Sequence, residues 1–281
     1  MQIQPSRLFM HHKFQHLSVL ILIGLLCAFE AAPLLAEVVI APHRAAYKLE
    51  LKRTRRDSRI SEASGAMVYT WGETCDGWTV EQQFALNVVR GDGNAMQLTA
   101  VSSTWESKDG TRLRFNIKRE RNGQEVEKIR GEARLDGEYG AGVAEFEMPK
   151  PTRIKLPKGT VFPTMHTIRL MRRAAEGANT DRQLVFDGSE LEPPGPVSAF
   201  ILPLKDPKTP STAFVAPLGP QKVRNIQLAF FSALRNASEP EFEMSIALQD
   251  NGIAPGLVLD YGDYAVRGTL ARLEALEKPE C

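Results

Sequence analysis

Three observations predict a mainly β fold, a barrel-like antiparallel sheet carrying one principal α-helix. Apolar and polar residues alternate with period two along most of the chain. Asp-Gly and Asn-Gly pairs fall between the alternating runs, and only one stretch has helical period.

The alternating runs begin at 44–53 and return at 66–71, 78–89 and 96–106. Leu113, Phe115 and Ile117 then alternate with Arg112, Arg114, Asn116 and Lys118, and another run covers 125–134. Ala144, Phe146 and Met148 alternate with Glu145 and Glu147; further runs occupy 182–186, 197–202 and 223–233. Phe242, Met244, Ile246 and Leu248 alternate with Glu241, Glu243, Ser245 and Ala247. Each is the pattern of an antiparallel strand with one wet face and one apolar face. Asp76-Gly77, Asp92-Gly93, Asp109-Gly110, Asn122-Gly123, Asp136-Gly137, Asp187-Gly188 and Asn251-Gly252 supply the positive φ angles of tight turns. Roughly a dozen strands joined mostly by short turns form a meander that curls to protect its edges.

The helix is expected over 160–177, where Pro163 suits a first turn and Gly177 a stop. Its apolar stripe is Met165, Ile168, Met171 and Ala175, with Arg169, Arg172, Arg173 and Glu176 mostly elsewhere. Such a helix can plug or cover one end of the curled sheet. The stretch 268–277 fits strand or helix, and Pro-rich 192–220 should be loops and short extended pieces. Asp260-Tyr-Gly-Asp-Tyr264 reads as a turn between two strands. No repeat and no linker divides residues 37–281, so they are expected to form a single domain.

The start of the chain reads as an address. Arg7 and Lys13 precede an apolar run over 17–29 that ends at Glu30, with small residues following. These are the parts of a secretory signal peptide, and the run falls short of the roughly 20 residues of a spanning helix. Cleavage is expected after Ala36, with an earlier site near Ala32 as the alternative. Cys27 follows Leu26 where a lipidation site needs a small residue, so it leaves with the signal. Removing 1–36 leaves basic and acidic residues equal in number, a chain without the field that attracts nucleic acid. No later segment approaches spanning length, so no transmembrane segment is expected in the mature chain.

Two cysteines remain, Cys75 and Cys281, in a chain bound for an oxidising space. An even count there favours a disulfide between them, tying the last residue to an early strand. Two free thiols, or a bridge between chains, are the alternatives. No CxxC spacing supports redox chemistry.

Catalytic signatures are lacking: there is no GxSxG elbow, HExxH or Gly-rich phosphate loop. His43 and His166 are the only histidines beyond residue 36, one near the mature N-terminus and one on the helix. Glu190 with Glu192, and Asp260 with Asp263, are the nearest carboxylate pairs, a weak signal in a chain with 34 acidic residues. No catalytic, cofactor-binding or metal-binding residue is expected. Lys52-Arg-Thr-Arg-Arg56 is the densest basic run. It reads first as a solvated hairpin end, and alternatively as a contact for anionic head groups. Trp71 and Trp78 flank the Cys75 turn and should bury large area around it.

Several segments together resemble one family. Trp71-Gly-Glu-Thr-Cys-Asp-Gly-Trp78 is similar to the signature around the first disulfide cysteine of the EipB family, periplasmic cell-envelope-integrity proteins of Gram-negative bacteria. The resemblance continues through Gly159-Thr-Val-Phe-Pro-Thr-Met-His166, Val185-Phe-Asp-Gly-Ser-Glu190 and Asp260-Tyr-Gly-Asp-Tyr264. It closes with 268–281 and departs from the signature at Gly72, where a Thr is expected before Glu73. The resemblance implies a periplasmic, spiral-like β-barrel with a helix against it, and a disulfide between the positions matched by Cys75 and Cys281. It implies that loss of the protein weakens the envelope, and it brings no catalytic residues.

The expected function is therefore non-enzymatic maintenance of envelope integrity. The protein would bind a lipid, lipoprotein or periplasmic protein partner in or on the curled sheet, since a sheet too wide for its own side chains leaves a cavity. The alternative is a structural interaction module with a solid core. A carboxylate-dependent cell-wall hydrolase is the weakest of the three readings.

Overall fold

The computed structural model describes residues 38–206, 221–234 and 238–281. The signal segment over 1–36, with Cys27, lies outside the described residues, as does the 207–220 part of the Pro-rich stretch.

Fifteen strands form one sheet. The first eight are β1 (His43–Thr54), β2 (Ile60–Glu73), β3 (Gly77–Arg90), β4 (Ala95–Ser107), β5 (Arg112–Arg121), β6 (Gln124–Leu135), β7 (Gly142–Met148) and β8 (Thr152–Leu156). Two-residue β9 (Thr160–Val161) leads into the helix α1 (Pro163–Ala175). The chain continues through β10 (Thr180–Val185), β11 (Gly195–Ile201), β12 (Val223–Phe230), β13 (Phe242–Gln249), β14 (Gly256–Asp260) and β15 (Tyr264–Ala275). Each of β1–β7 pairs antiparallel with the next strand, as does each of β10–β14, and β15 returns to pair antiparallel with β1. Only β9 and β10 are parallel, and α1 supplies the long crossover that a parallel pair requires.

This order forces closure. β8 and β9 stand at opposite edges of the sheet, yet only residues 157–159 separate them. The four steps from Leu156 to Thr160 reach at most about 14 Å, so the two edges must meet. No ladder joins them among the described residues. Side chains seal the seam instead. Phe115 and Phe146 on β5 and β7 meet Phe186, just after β10, with ring centroids 5.2–6.3 Å apart, and Phe162 lies 6.4 Å from Phe186. These rings join Leu113, Ile117, Ile129 and Leu156 in one buried cluster. Gly188 sits on this seam with φ +72°, its Cα so close to Phe115 that a Cβ would lie 2.4 Å from the ring.

The helix is enclosed, because no residue from 161 to 171 is exposed. Its buried residues are Thr164, His166, Ile168, Leu170, Met171 and Ala174, a wider surface than the stripe read from sequence, while Ala175 is exposed. It packs on Val197, Ala199 and Ile201 of β11, Ile226 and Leu228 of β12, Leu248 of β13, and Trp71 on β2. It thus fills one end of the barrel. Gly177 ends it with φ +81°, and the Ala178 N–H closes back on the Arg173 carbonyl at 2.9 Å.

The strand boundaries extend the sequence reading in particular places. β2 begins at Ile60, six residues before its apolar alternation becomes regular, and the ambiguous 268–277 belongs to β15. Strands β8 and β9 fall outside the alternating runs; β9 has only two residues, and the five of β8 alternate between flanking prolines. Within 192–220, residues 195–201 form β11.

Candidate functional site

Alternation assigns each strand an inward and an outward face, and the inward faces differ in how well they are covered. On β1 the inward residues Ala45, Tyr47 and Leu49 are fully buried, as are Leu113, Phe115 and Ile117 on β5. On β3 and β4 the inward residues Val80, Gln82, Phe84, Leu98, Ala100, Ser102 and Thr104 are only half-buried. Phe230 of β12, and Phe242, Met244 and Ile246 of β13, are likewise half-buried. Their outward neighbours remain distinct, Val101 being 51% exposed on the other side of β4. These side chains leave part of the barrel's inner face, its lumen, less covered than the rest of the core.

Tyr69 on β2 lies where two of the buried clusters meet. Its ring touches both the β1/β15 cluster and the helix-end cluster, and burial holds its phenol well above the usual range. It is nevertheless only half-buried.

The helix end forms the floor. Phe162 offers no side-chain cap to α1. Glu106, inward at the end of β4 and 1% exposed, accepts hydrogen bonds from the Thr164 N–H at 2.7 Å and the Met165 N–H at 2.9 Å. A carboxylate there complements the helix dipole. Burial pushes its carboxyl up to about 7, against the lowering effect of those hydrogen bonds. Arg169 of α1 grips Asp181 of β10 at 3.0 and 3.2 Å and reaches the Tyr139 hydroxyl at 3.2 Å.

At the opposite end an aromatic row crosses the rim: Phe230, Phe242, Tyr261 and Tyr264, with successive centroids 5.2–5.5 Å apart. Tyr261 is 39% exposed. The basic run lies beside it, for Arg53 pairs with Asp260 and the Arg55 N–H donates to the Asp263 carbonyl at 2.9 Å.

The residues singled out in sequence fall as follows. His43 is 1% exposed and its Nδ1–H donates to the Ala41 carbonyl at 2.7 Å, with burial lowering the ring's pKa. His166 is buried on α1, and burial pushes its ring down to about 4, Asp181 opposing and Arg169 adding to the shift. Both rings are packed in the core. Glu190 and Glu192 lie in the irregular segment after β10, where burial first and Glu192 second raise the Glu190 carboxyl. Asp260 and Asp263 shape the turn before β15, Asp260 accepting from the Gly262 N–H at 3.1 Å. Trp71 and Trp78 meet edge to face at 6.4 Å beneath the Cys75 turn. Cys75 and Cys281 sit with their sulfurs at bonding distance and Cα atoms 5.7 Å apart. Among the described residues no group of three His, Cys, Asp or Glu side chains could hold a metal ion. No described helix is long and apolar enough to cross a membrane.

Sequence reasoning missed Glu106 and Tyr69. Both are inward positions in otherwise alternating strands, and a carboxylate on the apolar side of β4 was the one available signal.

Comparison with known proteins agrees with this architecture. The family model described as EipB-like matches residues 35–277. The cell envelope integrity protein EipB of Brucella abortus is 31% identical over 248 residues, 87% of each chain. A crystal structure of a beta-barrel-like protein of a domain of unknown function, also from Brucella abortus, superposes with a TM-score of 0.79 at 29% identity. That match covers 85% of this chain and all of the other. The alternating strands, the enclosed helix and the matched segments have one explanation: this chain belongs to the EipB-like family of cell envelope integrity proteins.

Proposed function

We propose that the protein maintains the cell envelope from the periplasm, after removal of residues 1–36, by holding an amphiphile in its barrel lumen. The cargo is a free lipid or the acyl portion of a lipoprotein, and no reaction is catalysed. The observation that supports this reading is the set of inward apolar side chains that stay half-buried, Phe84, Leu98, Phe242, Met244 and Ile246 above all. A barrel evolved only as a solid scaffold would fill that space, because each unfilled methyl-sized void costs about 1 kcal/mol. The envelope role named for the Brucella relative supplies a setting in which amphiphiles are at hand.

The test is the mass of residues 37–281 purified from a periplasm, first under native and then under denaturing conditions. A lipid-sized excess that disappears on denaturation supports the carrier. Met244→Trp, which fills the lumen, should remove the excess while the protein stays folded. A bare native mass in the unaltered protein would favour the interaction module with a solid core.

A further inference from the structure

The inward faces of β2, β3 and β4 are mostly apolar, with a cluster of uncharged polar side chains at their middle. Cross-strand register sets Tyr69 of β2 opposite Gln82 of β3, and Gln82 opposite Ser102 of β4. Directly opposed residues share a face, so all three side chains point inward, their Cβ atoms about 4.5–5.5 Å apart along the row. Thr104, two residues beyond Ser102, continues the same face toward the helix floor. The row toward the rim is apolar at the same strands, with Met67, Phe84 and Ala100, while the row toward the floor holds Trp71 and Val80 with Thr104 at its β4 position.

None of these four polar side chains hydrogen-bonds to any described residue, and each is half-buried with its polar atoms reachable. Such groups inside a protein are normally satisfied by protein, by water or by a bound ligand. Their chemistry is also uniform. A phenol, a carboxamide and two hydroxyls donate and accept but carry no charge. Three ionic groups near this face are already engaged: Arg119 with Glu127, Arg169 with Asp181, and Glu106 with the α1 N-terminus.

We infer that Tyr69, Gln82, Ser102 and Thr104 form the polar subsite of the lumen, and that it takes the uncharged ester, amide or hydroxyl portion of an amphiphile. The acyl chain then lies along Phe84, Leu98, Met244 and Ile246 toward the rim. This inference rests on the lumen reading above and narrows its cargo to lipids with a neutral group next to the chain. A charged head finds no partner at this depth, and leaving it unpaired there is costly.

Two ligands of equal chain length test it, monoolein with a glycerol ester and 1-octadecene with none. Their affinities are read by displacement of N-phenylnaphthylamine fluorescence from residues 37–281. Tyr69→Phe combined with Ser102→Ala should weaken monoolein roughly 25-fold, since each lost neutral hydrogen bond is worth a factor of about five. The affinity for 1-octadecene should stay within about two-fold on the same scale. Thr104→Val, close to isosteric, should show the same selectivity more weakly and guards against a folding defect in the double variant. Met244→Trp should abolish displacement by both ligands. Unchanged monoolein affinity in the double variant, or equal weakening of both ligands, overturns the polar subsite and leaves the lumen standing. An unaltered protein that binds neither ligand overturns the lumen reading itself, and the subsite with it.

Discussion

Replacing Glu106 by Gln should change how stability depends on pH, and the size of the change follows from its position. The buried carboxyl titrates at about 7 in the folded protein against 4.5 for the free group. Between those values the native state keeps a proton that the unfolded chain has released, so stability falls as pH rises from 4.5 toward 7 and is level above. At 1.36 kcal/mol per pKa unit the loss is about 3 kcal/mol. His166 acts in the opposite sense. Its ring, held down to about 4 from 6.5, leaves the native state a proton short of the unfolded chain in that interval. Stability therefore rises with pH from about 4 to 6.5, by a similar amount. The two contributions oppose each other over much of the range. Glu106→Gln keeps an oxygen for the α1 N–H groups and removes the titration. Urea midpoints measured from pH 4.5 to 8 should show the variant gaining on the parent by about 3 kcal/mol as pH rises. His166→Gln should lose the opposite slope. If the Glu106→Gln and parent curves run parallel, the carboxyl does not titrate in that window, and the buried-cap argument fails.

Other perturbations test other parts of the fold. Cys281→Ser removes a link spanning 206 residues of chain. The loop-entropy model puts its contribution at about 5 kcal/mol as an upper value, so Tm should drop by roughly 10 °C. Identical melting of the two proteins under non-reducing conditions would show that the cysteines are not bonded. Gly188→Ala drives a Cβ into Phe115 at a φ of +72° and should destabilise by about 2–4 kcal/mol in urea unfolding. Gly93→Ala, with φ +85° and nothing within 4 Å, should cost only about 1 kcal/mol by the same measurement. Equal losses in the two alanine variants would remove the seam from the account.

The parts of the fold that were legible share one property: their signal is local. The alternation at 113–117 and 242–248, the Asp-Gly turns, Pro163 and Gly177 each act within a few residues. What the sequence hides is set by partners far away in the chain. Glu106 caps a helix that begins at Pro163, and nothing near either residue announces it. The edge strand β8 is only five residues long between Pro151 and Pro157, which makes its alternation easy to pass over and also blunts it against pairing with another chain. The sealing of β8 against β9 depends on Phe115, Phe146, Phe162 and Phe186, each an ordinary apolar position in its own segment. The candidate site is hidden for the same reason. Tyr69, Gln82 and Ser102 become a row only through register, and register is a property of paired strands. Composition and motif reading could exclude familiar catalytic patterns and suggest a cavity. It could not distinguish an inward residue that is packed from one that is accessible.

The central claim is that acyl chains enter the inside of this sheet and leave its outside untouched. Phe84→Trp and Val101→Trp place tryptophans on neighbouring strands, the first facing the lumen and the second on the outward side, 51% exposed before substitution. Titration of each variant with brominated monoolein, read as quenching beyond that of the parent, compares the two faces directly. The account predicts strong, saturable quenching of the tryptophan at 84 and none of the one at 101. Quenching of both alike, or of the outward one alone, would contradict it.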